Sequence, residues 1–343
     1  MSHANIALFV PHIGCPHRCS FCDQNAISGA SGYPSPEAVT AACETALASL
    51  GSAASREAEV AFFGGSFTAI PRREMLRLLD AAAPYVRSGR IRGIRLSTRP
   101  DAVDGEILAL LRAYGVTTIE LGAQSMDDRV LALNGRGHTA ADVRRAAALV
   151  KEAGFTLGLQ MMTGLYGDTP DGALATGRAL RDLAPEEVRI YPTVVLRGTR
   201  LGELYRSGAY RPPDVWESVP LCASLLDLFE EAGIRVIRVG LHASPSLEQD
   251  LLAGAYHPAF RELCEGERLL TRLLRQLAGR TPGPVTLVLN PRDRSAFTGP
   301  ARRNLSRLSA LGWQPRLAED PSHPRGSVTP AFPPDPDRPP SEN

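Results

Sequence analysis

Residues 5–22 read N-I-A-L-F-V-P-H-I-G-C-P-H-R-C-S-F-C. Ile6–Val10 is a short apolar run closed by Pro11, the pattern of a strand. Cys15, Cys19 and Cys22 follow at once, with three residues and then two between the thiols. Three soft ligands in one loop suit an iron–sulfur cluster better than a closed zinc site, which needs four. A 4Fe–4S cluster held by three cysteines keeps one iron open to another molecule. His12 and His17 flank Cys15, and a zinc reading would use one of them as fourth ligand. That reading leaves the pattern downstream unexplained.

Working outward, apolar strands alternate with helical periodicity. Val60–Phe63 is a second strand ending in Gly64-Gly65, and Ile91–Leu96, Thr117–Leu121, Phe155–Met161 and Val188–Tyr191 follow. Helical patterns fall between them, beginning with Pro36–Leu50. Such alternation implies a parallel sheet, because each crossover must return the chain to the same end. Six such units fit a partial barrel or an open doubly wound sheet. In either, Cys15, Gly64, Ser97, Gln124, Gly164 and Pro192 gather at the C-terminal strand ends, the active face of parallel α/β folds.

The chain has 343 residues, of which 43% are apolar, with formal net charge +1. No apolar stretch is long enough to span a membrane. The start lacks a basic segment and a small-residue cleavage site, so a cytoplasmic location is expected. Six cysteines are sparse over this length, and three are bunched, which favours a metal site over a disulfide framework. Cys43, Cys222 and Cys264 fall in helical patterns and read as buried apolar groups. Between Arg261 and Arg316 eleven arginines stand against four acids. A solvated surface explains that bias, and so does contact with an anion such as RNA. Thr298-Gly299-Pro300 suggests a helix start, with Arg302 and Arg303 in its first turn as phosphate ligands.

The cysteine loop after a first strand, Phe21 before the last cysteine, and F-F-G-G-S-F (62–67) after a second strand together resemble the radical S-adenosylmethionine superfamily. The resemblance covers residues 5–200. L-S-T-R-P-D (96–101), E-L-G-A-Q-S (120–125), R-G-H-T (136–139) and R-I-Y-P-T-V-V (189–195) are similar to the radical domain of the Elongator catalytic subunit and its small bacterial relatives. The Gln124-to-Arg136 spacing is also similar to that in oxygen-independent coproporphyrinogen oxidase. The Elongator subunit has a longer gap between its first two cysteines and an acetyltransferase domain. Acetyl transfer is therefore not carried over.

The resemblance implies that Cys15, Cys19 and Cys22 ligate a 4Fe–4S cluster whose open iron chelates S-adenosylmethionine. One electron then yields methionine and a 5′-deoxyadenosyl radical, which takes a hydrogen atom from substrate. Gly64, Gly65 and Ser66 would meet the methionyl amino group, and Phe21 the adenine. Ser97 and Arg99 would lie by the ribose. Gln124 and Arg136 would hold the ribose and the methionyl carboxylate, since an Arg fork suits a carboxylate. Met162, at the end of the fifth strand, joins this set against a reading as core packing. Ordinary turns and interstrand hydrogen bonds are the competing accounts of the others.

The expected fold is α/β, a partial (β/α)6 TIM-like barrel of the radical SAM type with a smaller α/β C-terminal extension. The expected boundaries are a core over 1–205, a basic extension over 206–318 and a disordered tail over 319–343. The expected function is reductive cleavage of S-adenosylmethionine, with tRNA as candidate substrate and an electron donor such as flavodoxin or ferredoxin. A tetrapyrrole-related enzyme or haem chaperone, and a non-catalytic iron–sulfur protein, are the alternatives. No catalytic residue is assigned.

Overall fold

The computed structural model describes residues 5–10, 18–23, 32–55 and 57–333. Cys15, His12 and His17 lie outside the described residues. The chain divides into two units, residues 1–218 with 228–258, and residues 219–227 with 259–343.

In the first unit, β1 (Asn5–Val10), β2 (Glu59–Gly64), β3 (Gly93–Thr98), β4 (Val116–Gln124), β5 (Thr156–Thr163) and β6 (Glu187–Pro192) come in turn. After β7 (Val194–Leu196), β8 (Arg235–Val239) completes a seven-stranded parallel sheet in the order β1-β2-β3-β4-β5-β6-β8. Crossovers between strands that neighbour in sequence, right-handed as a rule, put the connecting helices on one face, so the sheet curls into a partial barrel. Alternation then divides the side chains. Val60, Phe62, Ile94, Leu96, Ile119 and Leu121 are at most 1% exposed and form the apolar layer of the core. Each contributes about 1.5–3 kcal/mol by burial. The opposite face carries the polar residues, among them Arg95, Ser97, Glu120, Gln160 and Arg189.

The helices that follow the strands start on caps. Asp104 accepts from the amide of Ile107 at 2.8 Å, Thr169 from Gly172 at 3.0 Å and Thr199 from Gly202 at 3.1 Å. Thr139 and Asp142 form a reciprocal capping box at the start of helix Ala140–Glu152. Each cap satisfies amides that would otherwise be orphaned, worth about 1 kcal/mol. These helix starts lie in the chain just beyond the C-terminal ends of their strands and so fix the loops of the active face. β9 (Leu251–Gly254) pairs antiparallel with β7 as a separate ribbon.

The second unit has a three-stranded sheet, with β10 (Pro284–Leu289) between β11 (Gln314–Glu319), parallel, and β12 (Val328–Ala331), antiparallel. Helices Phe260–Leu277 and Arg303–Ala310 pack Leu270, Leu273, Leu305 and Leu308 with Leu287, Leu289, Phe297 and Trp313.

Three expectations change. The parallel sheet runs to Val239, so a core ending at 205 is too short; the β7–β9 ribbon interrupts the alternation and disguises β8 as part of the extension. The segment from 319 is not featureless: Val328 is 3% exposed inside the second core and draws β12 onto β10 despite the polar, proline-rich surroundings. The helix expected from Pro300 begins at Arg303, because Ala301 and Arg302 adopt left-handed backbone (φ 49° and 58°). Asn304, donating to the carbonyls of Phe297 at 2.9 Å and Gly266 at 3.2 Å, secures that kink. Arg302 is thus the N-cap, not a first-turn residue.

Candidate functional site

Ser20 fixes the cysteine loop. Its amide donates to the Asn134 carbonyl at 3.0 Å, its hydroxyl to Asn134 Oδ1 at 2.6 Å, and its carbonyl accepts from the amide of Leu201 at 2.8 Å. Asn134 is fully buried and donates in turn to the carbonyls of Val130 and Tyr166. Cys19 is buried and Cys22 half-buried, and the Cys22 amide closes a turn on the Cys19 carbonyl at 3.2 Å. Half-buried Phe21 packs with Tyr210, Val195 and Leu201.

Arg136 reaches the same place from the far side of β4. Its Nη1 donates to the Cys19 sulfur at 3.0 Å and its Nη2 to the Gly122 carbonyl at 2.6 Å. Gln124 sits beside it: a Cβ added to Gly122 would stand 3.1 Å from Gln124 Nε2 and 3.4 Å from Arg136 Nη2. Gln124 holds a left-handed φ of 65°, where the β4–β5 register shifts. Non-glycine residues rarely adopt this backbone except where the surroundings demand it. Gln124 Oε1 and Arg136 Nε are both buried without a hydrogen-bond partner among the described residues. Orphaned polar atoms at this depth cost about 1–3 kcal/mol each, the sign of a group that completes the site.

Gly64 and Gly65 leave β2 with Gly64 at φ 107°, and the Gly65 amide donates to the Val10 carbonyl at 2.6 Å. Ser66 is buried, 2.9 Å from Thr98 Oγ1, and accepts from the Arg99 amide at 3.1 Å. Arg99 is committed to protein: Nε donates to Asp101 at 2.6 Å and Nη2 to the Arg136 carbonyl at 2.9 Å. It positions the R-G-H-T segment. Ser97 accepts from Gln160 Nε2 at 3.1 Å. Met162 is half-buried at the end of β5, in register with Tyr191, while Met161 is fully buried. Cys19, Gln124 and Arg136 therefore gather at one point, Arg99 joins them through the Arg136 backbone, and Ser97 and Gln160 form a second group along the inner face.

Below them, the barrel interior is closed by charge. Arg95 meets Glu59 at 2.9 Å, Glu120 at 2.8 Å and Glu187. Arg189 binds Glu120 with two nitrogens, at 2.6 and 2.9 Å, and lies 4.9 Å over the Phe63 ring. Arg235 pairs with Glu187 at 2.8 Å. A Cβ on Gly158 would stand 2.7 Å from Glu120 Cγ, so glycine makes room for this carboxylate. Burial alone would raise Glu59 and Glu120, but the neighbouring guanidiniums outweigh it and hold both below the usual carboxylate range. The sequence signal was a charge inside each of several apolar strands; the pairing itself needed the register.

His138 was not singled out in sequence beyond its R-G-H-T motif. It is 4% exposed, with Nε2 3.2 Å from the Ala123 carbonyl and Nδ1 unpartnered. Burial, with Arg136 nearby, pushes it down to about 4, so it is neutral at physiological pH. Ser20 and Asn134 likewise gave no local signal, since their contact spans 114 residues.

The partial barrel, the cysteine loop and the residues around Cys19 define a class, and residues 9–180 match the model of the Radical SAM superfamily, with residues 185–270 matching the Radical_SAM C-terminal domain. The chain belongs to the radical SAM superfamily. It is 30% identical over 210 residues to a tRNA uridine(34) acetyltransferase of Dehalococcoides mccartyi, covering 57% of this chain and 44% of that protein. It is 30% identical over 234 residues to Elongator complex protein 3 of Mus musculus, covering 60% and 40%. The chain thus spans less than half the length of these two relatives. Among solved structures, the archaeal Methanocaldococcus infernus Elp3 lacking its N-terminus superposes with a TM-score of 0.62 at 20% identity, over 81% of this chain and 63% of that one, a likeness of fold.

The residues fit the cofactors that this family implies, a 4Fe–4S cluster and S-adenosylmethionine. Two of the three cysteines stand in the described loop, and a buried guanidinium on the Cys19 sulfur complements the negative charge of a cluster-ligating thiolate. The orphaned Gln124 Oε1 and Arg136 Nε offer an acceptor and a donor beside it.

Proposed function

We propose that the chain is a radical S-adenosylmethionine enzyme acting on tRNA. The observation that carries the first part is Arg136 on the Cys19 sulfur beside the partnerless Gln124 amide oxygen. Cys15, Cys19 and Cys22 hold the cluster; Gln124 and Arg136 bind S-adenosylmethionine, with the Gly64–Ser66 turn at its amino group. Bound there, these cofactors would supply a 5′-deoxyadenosyl radical. The chain orients the site through Ser20, Asn134 and Arg99, and the Arg95–Glu120 network closes the barrel to water from below.

Likeness to a tRNA uridine(34) acetyltransferase and to Elongator complex protein 3 supports tRNA as substrate. The basic second unit supports it less than its arginine count suggests. Arg261, Arg268, Arg272, Arg294 and Arg307 each meet a carboxylate. Acetyl transfer is not proposed for this chain. A flavodoxin or ferredoxin would supply the electron. No helix among the described residues is long and apolar enough to cross a membrane; a cytoplasmic place of work goes with the tRNA reading.

The test is anaerobic reconstitution with iron and sulfide, reduction by dithionite, and chromatography for 5′-deoxyadenosine with and without tRNA. The reading expects 5′-deoxyadenosine, with more of it when tRNA is present. No product from a fully loaded cluster sinks the enzymatic reading. Product that tRNA neither increases nor modifies sinks the RNA reading alone.

A further inference from the structure

Among the described residues, the charges of the network around Arg95 balance, except at one residue beside it. Arg95, Arg189 and Arg235 are matched by Glu59, Glu120 and Glu187 through direct contacts. Arg238 is left over. The register between β6 and β8 shifts after Val188, so that Arg189 faces Arg238 where Ile237 would otherwise stand. Such irregularities re-aim side chains. Here the shift brings a guanidinium, in place of an isoleucine, beside Arg189 on the polar inner face.

Among the described residues Arg238 makes one hydrogen bond, from Nε to the Gly240 carbonyl at 2.9 Å. Both of its terminal nitrogens lack a described partner. It is half-buried; Arg189 and the neutral Tyr191 hydroxyl lie beside it, and no carboxylate among the described residues does. Between residues 5 and 333 the positions outside the described set, 11–17, 24–31 and 56, contain no acidic residue. Burial and the Arg189 charge both disfavour its cation and lower its affinity for protons. His242, three residues beyond β8, keeps an exposed face, and partial desolvation followed by the two guanidiniums holds it below its ordinary value. A half-buried cation beside a second cation is costly unless an anion joins it. A guanidinium fork with two spare donors matches an oxyanion with two oxygens.

We propose that Arg238, with His242 and Tyr191 beside it, is an anion subsite that holds one oxyanion group of the substrate, a carboxylate or a phosphate, in the barrel. The subsite lies on β8, whereas the Cys19–Arg136–Gln124 cluster is built by the cysteine loop, β4 and the segment after it. It goes beyond the RNA reading, since a nucleic-acid phosphate and the carboxylate of a small acid satisfy the same fork. The two sources separate by which anion binds.

The experiment uses the full chain and two probes, inorganic phosphate and acetate, each at ionic strength matched with chloride. Arginine modification by phenylglyoxal is mapped by peptide mass spectrometry. At four times its dissociation constant, the recognised anion slows modification of Arg238 about 5-fold by mass action. Protection by phosphate assigns a phosphorylated substrate group, and protection by acetate a carboxylate. The same anion raises the melting temperature of the wild type and of Arg238→Lys, and not that of Arg238→Gln. Modification of Arg238 unchanged by either anion, or an equal rise in Arg238→Gln, overturns the proposal. Neither readout requires the cluster or tRNA, so failure here leaves the proposed function standing.

Discussion

Arg136 and Cys19 are 117 residues apart in the chain and 3.0 Å apart in space, guanidinium nitrogen to sulfur. The Gly122 carbonyl, 2.6 Å from Nη2, sets the angle of the fork, and Nε is left for a further acceptor. One side chain thus touches both halves of the site, the loop that carries Cys19 and Cys22 and the strand end that carries Gln124.

Arg136→Gln should therefore weaken S-adenosylmethionine binding more than cluster binding. Losing a charge-assisted hydrogen bond in a buried site costs about 1.5–3 kcal/mol, about 10–100-fold in affinity. Equilibrium dialysis of labelled S-adenosylmethionine against reconstituted protein, with iron counted in the same samples, separates the two. Equal affinity in wild type and variant would remove Arg136 from the cofactor site.

Asn134→Ala removes the acceptor for the Ser20 hydroxyl and donors to two carbonyls in one step. Buried partners left unmade cost about 1–3 kcal/mol each, and here much of that cost falls on the loop that carries the cysteines. The variant should fold, show faster amide exchange over residues 18–23, and retain less iron after desalting. Hydrogen exchange with mass spectrometry reads the first effect and colorimetric iron analysis the second. Exchange confined to wild-type rates would mean that the loop is held elsewhere.

Arg95 joins three carboxylates at no more than 3% side-chain exposure. Arg95→Met should cost about 3–5 kcal/mol at pH 7, because it leaves buried carboxylates unpaired. The pH dependence has a definite sign. In the wild type Glu59 and Glu120 are held below their unfolded values, so the stability they supply is present above about pH 4.5 and lost as pH falls below that. In Arg95→Met, protonation relieves the unpaired charge, and the gap between variant and wild type should narrow as pH falls. Urea unfolding at pH 7 and pH 5 measures both gaps; a gap that widens on acidification contradicts the account.

Features that constrain the local backbone were legible in the sequence. The cysteine loop followed a first strand, Gly64-Gly65 closed a second, and the alternation of strands and helices implied a parallel sheet. What escaped were relations that exist only across strands. Glu59, Arg95, Glu120 and Glu187 lie on four different strands, and each read alone is a charge in an apolar run. Their pairing with one another and with Arg189 and Arg235 depends on register, and so does the surplus at Arg238. The tail from 319 was misjudged where a single apolar residue, Val328, outweighed the composition around it. Asn134 was invisible because an asparagine after a helix is an ordinary cap, and its partner Ser20 comes from the other end of the barrel core.

His138 gives a prediction about pH alone. Its ring is buried between the Ala123 carbonyl and the Arg136 side, with Nδ1 unpartnered, and it titrates at about 4 against an ordinary 6.5. A folded value below the unfolded one means that the unfolded chain binds the proton more readily. The penalty is absent above about pH 6.5, grows as pH falls, and is complete below about 4, where it reaches about 3 kcal/mol. His138→Gln keeps a donor for the Ala123 carbonyl and has no proton to gain. Its stability relative to wild type should therefore rise between pH 7 and pH 5. Urea midpoints at pH 7, 6 and 5 give the comparison directly. Parallel curves for the two proteins would show that the folded histidine takes up its proton as readily as the unfolded one, and would overturn the account. A steeper wild-type loss is the result expected of a neutral imidazole buried beside Arg136.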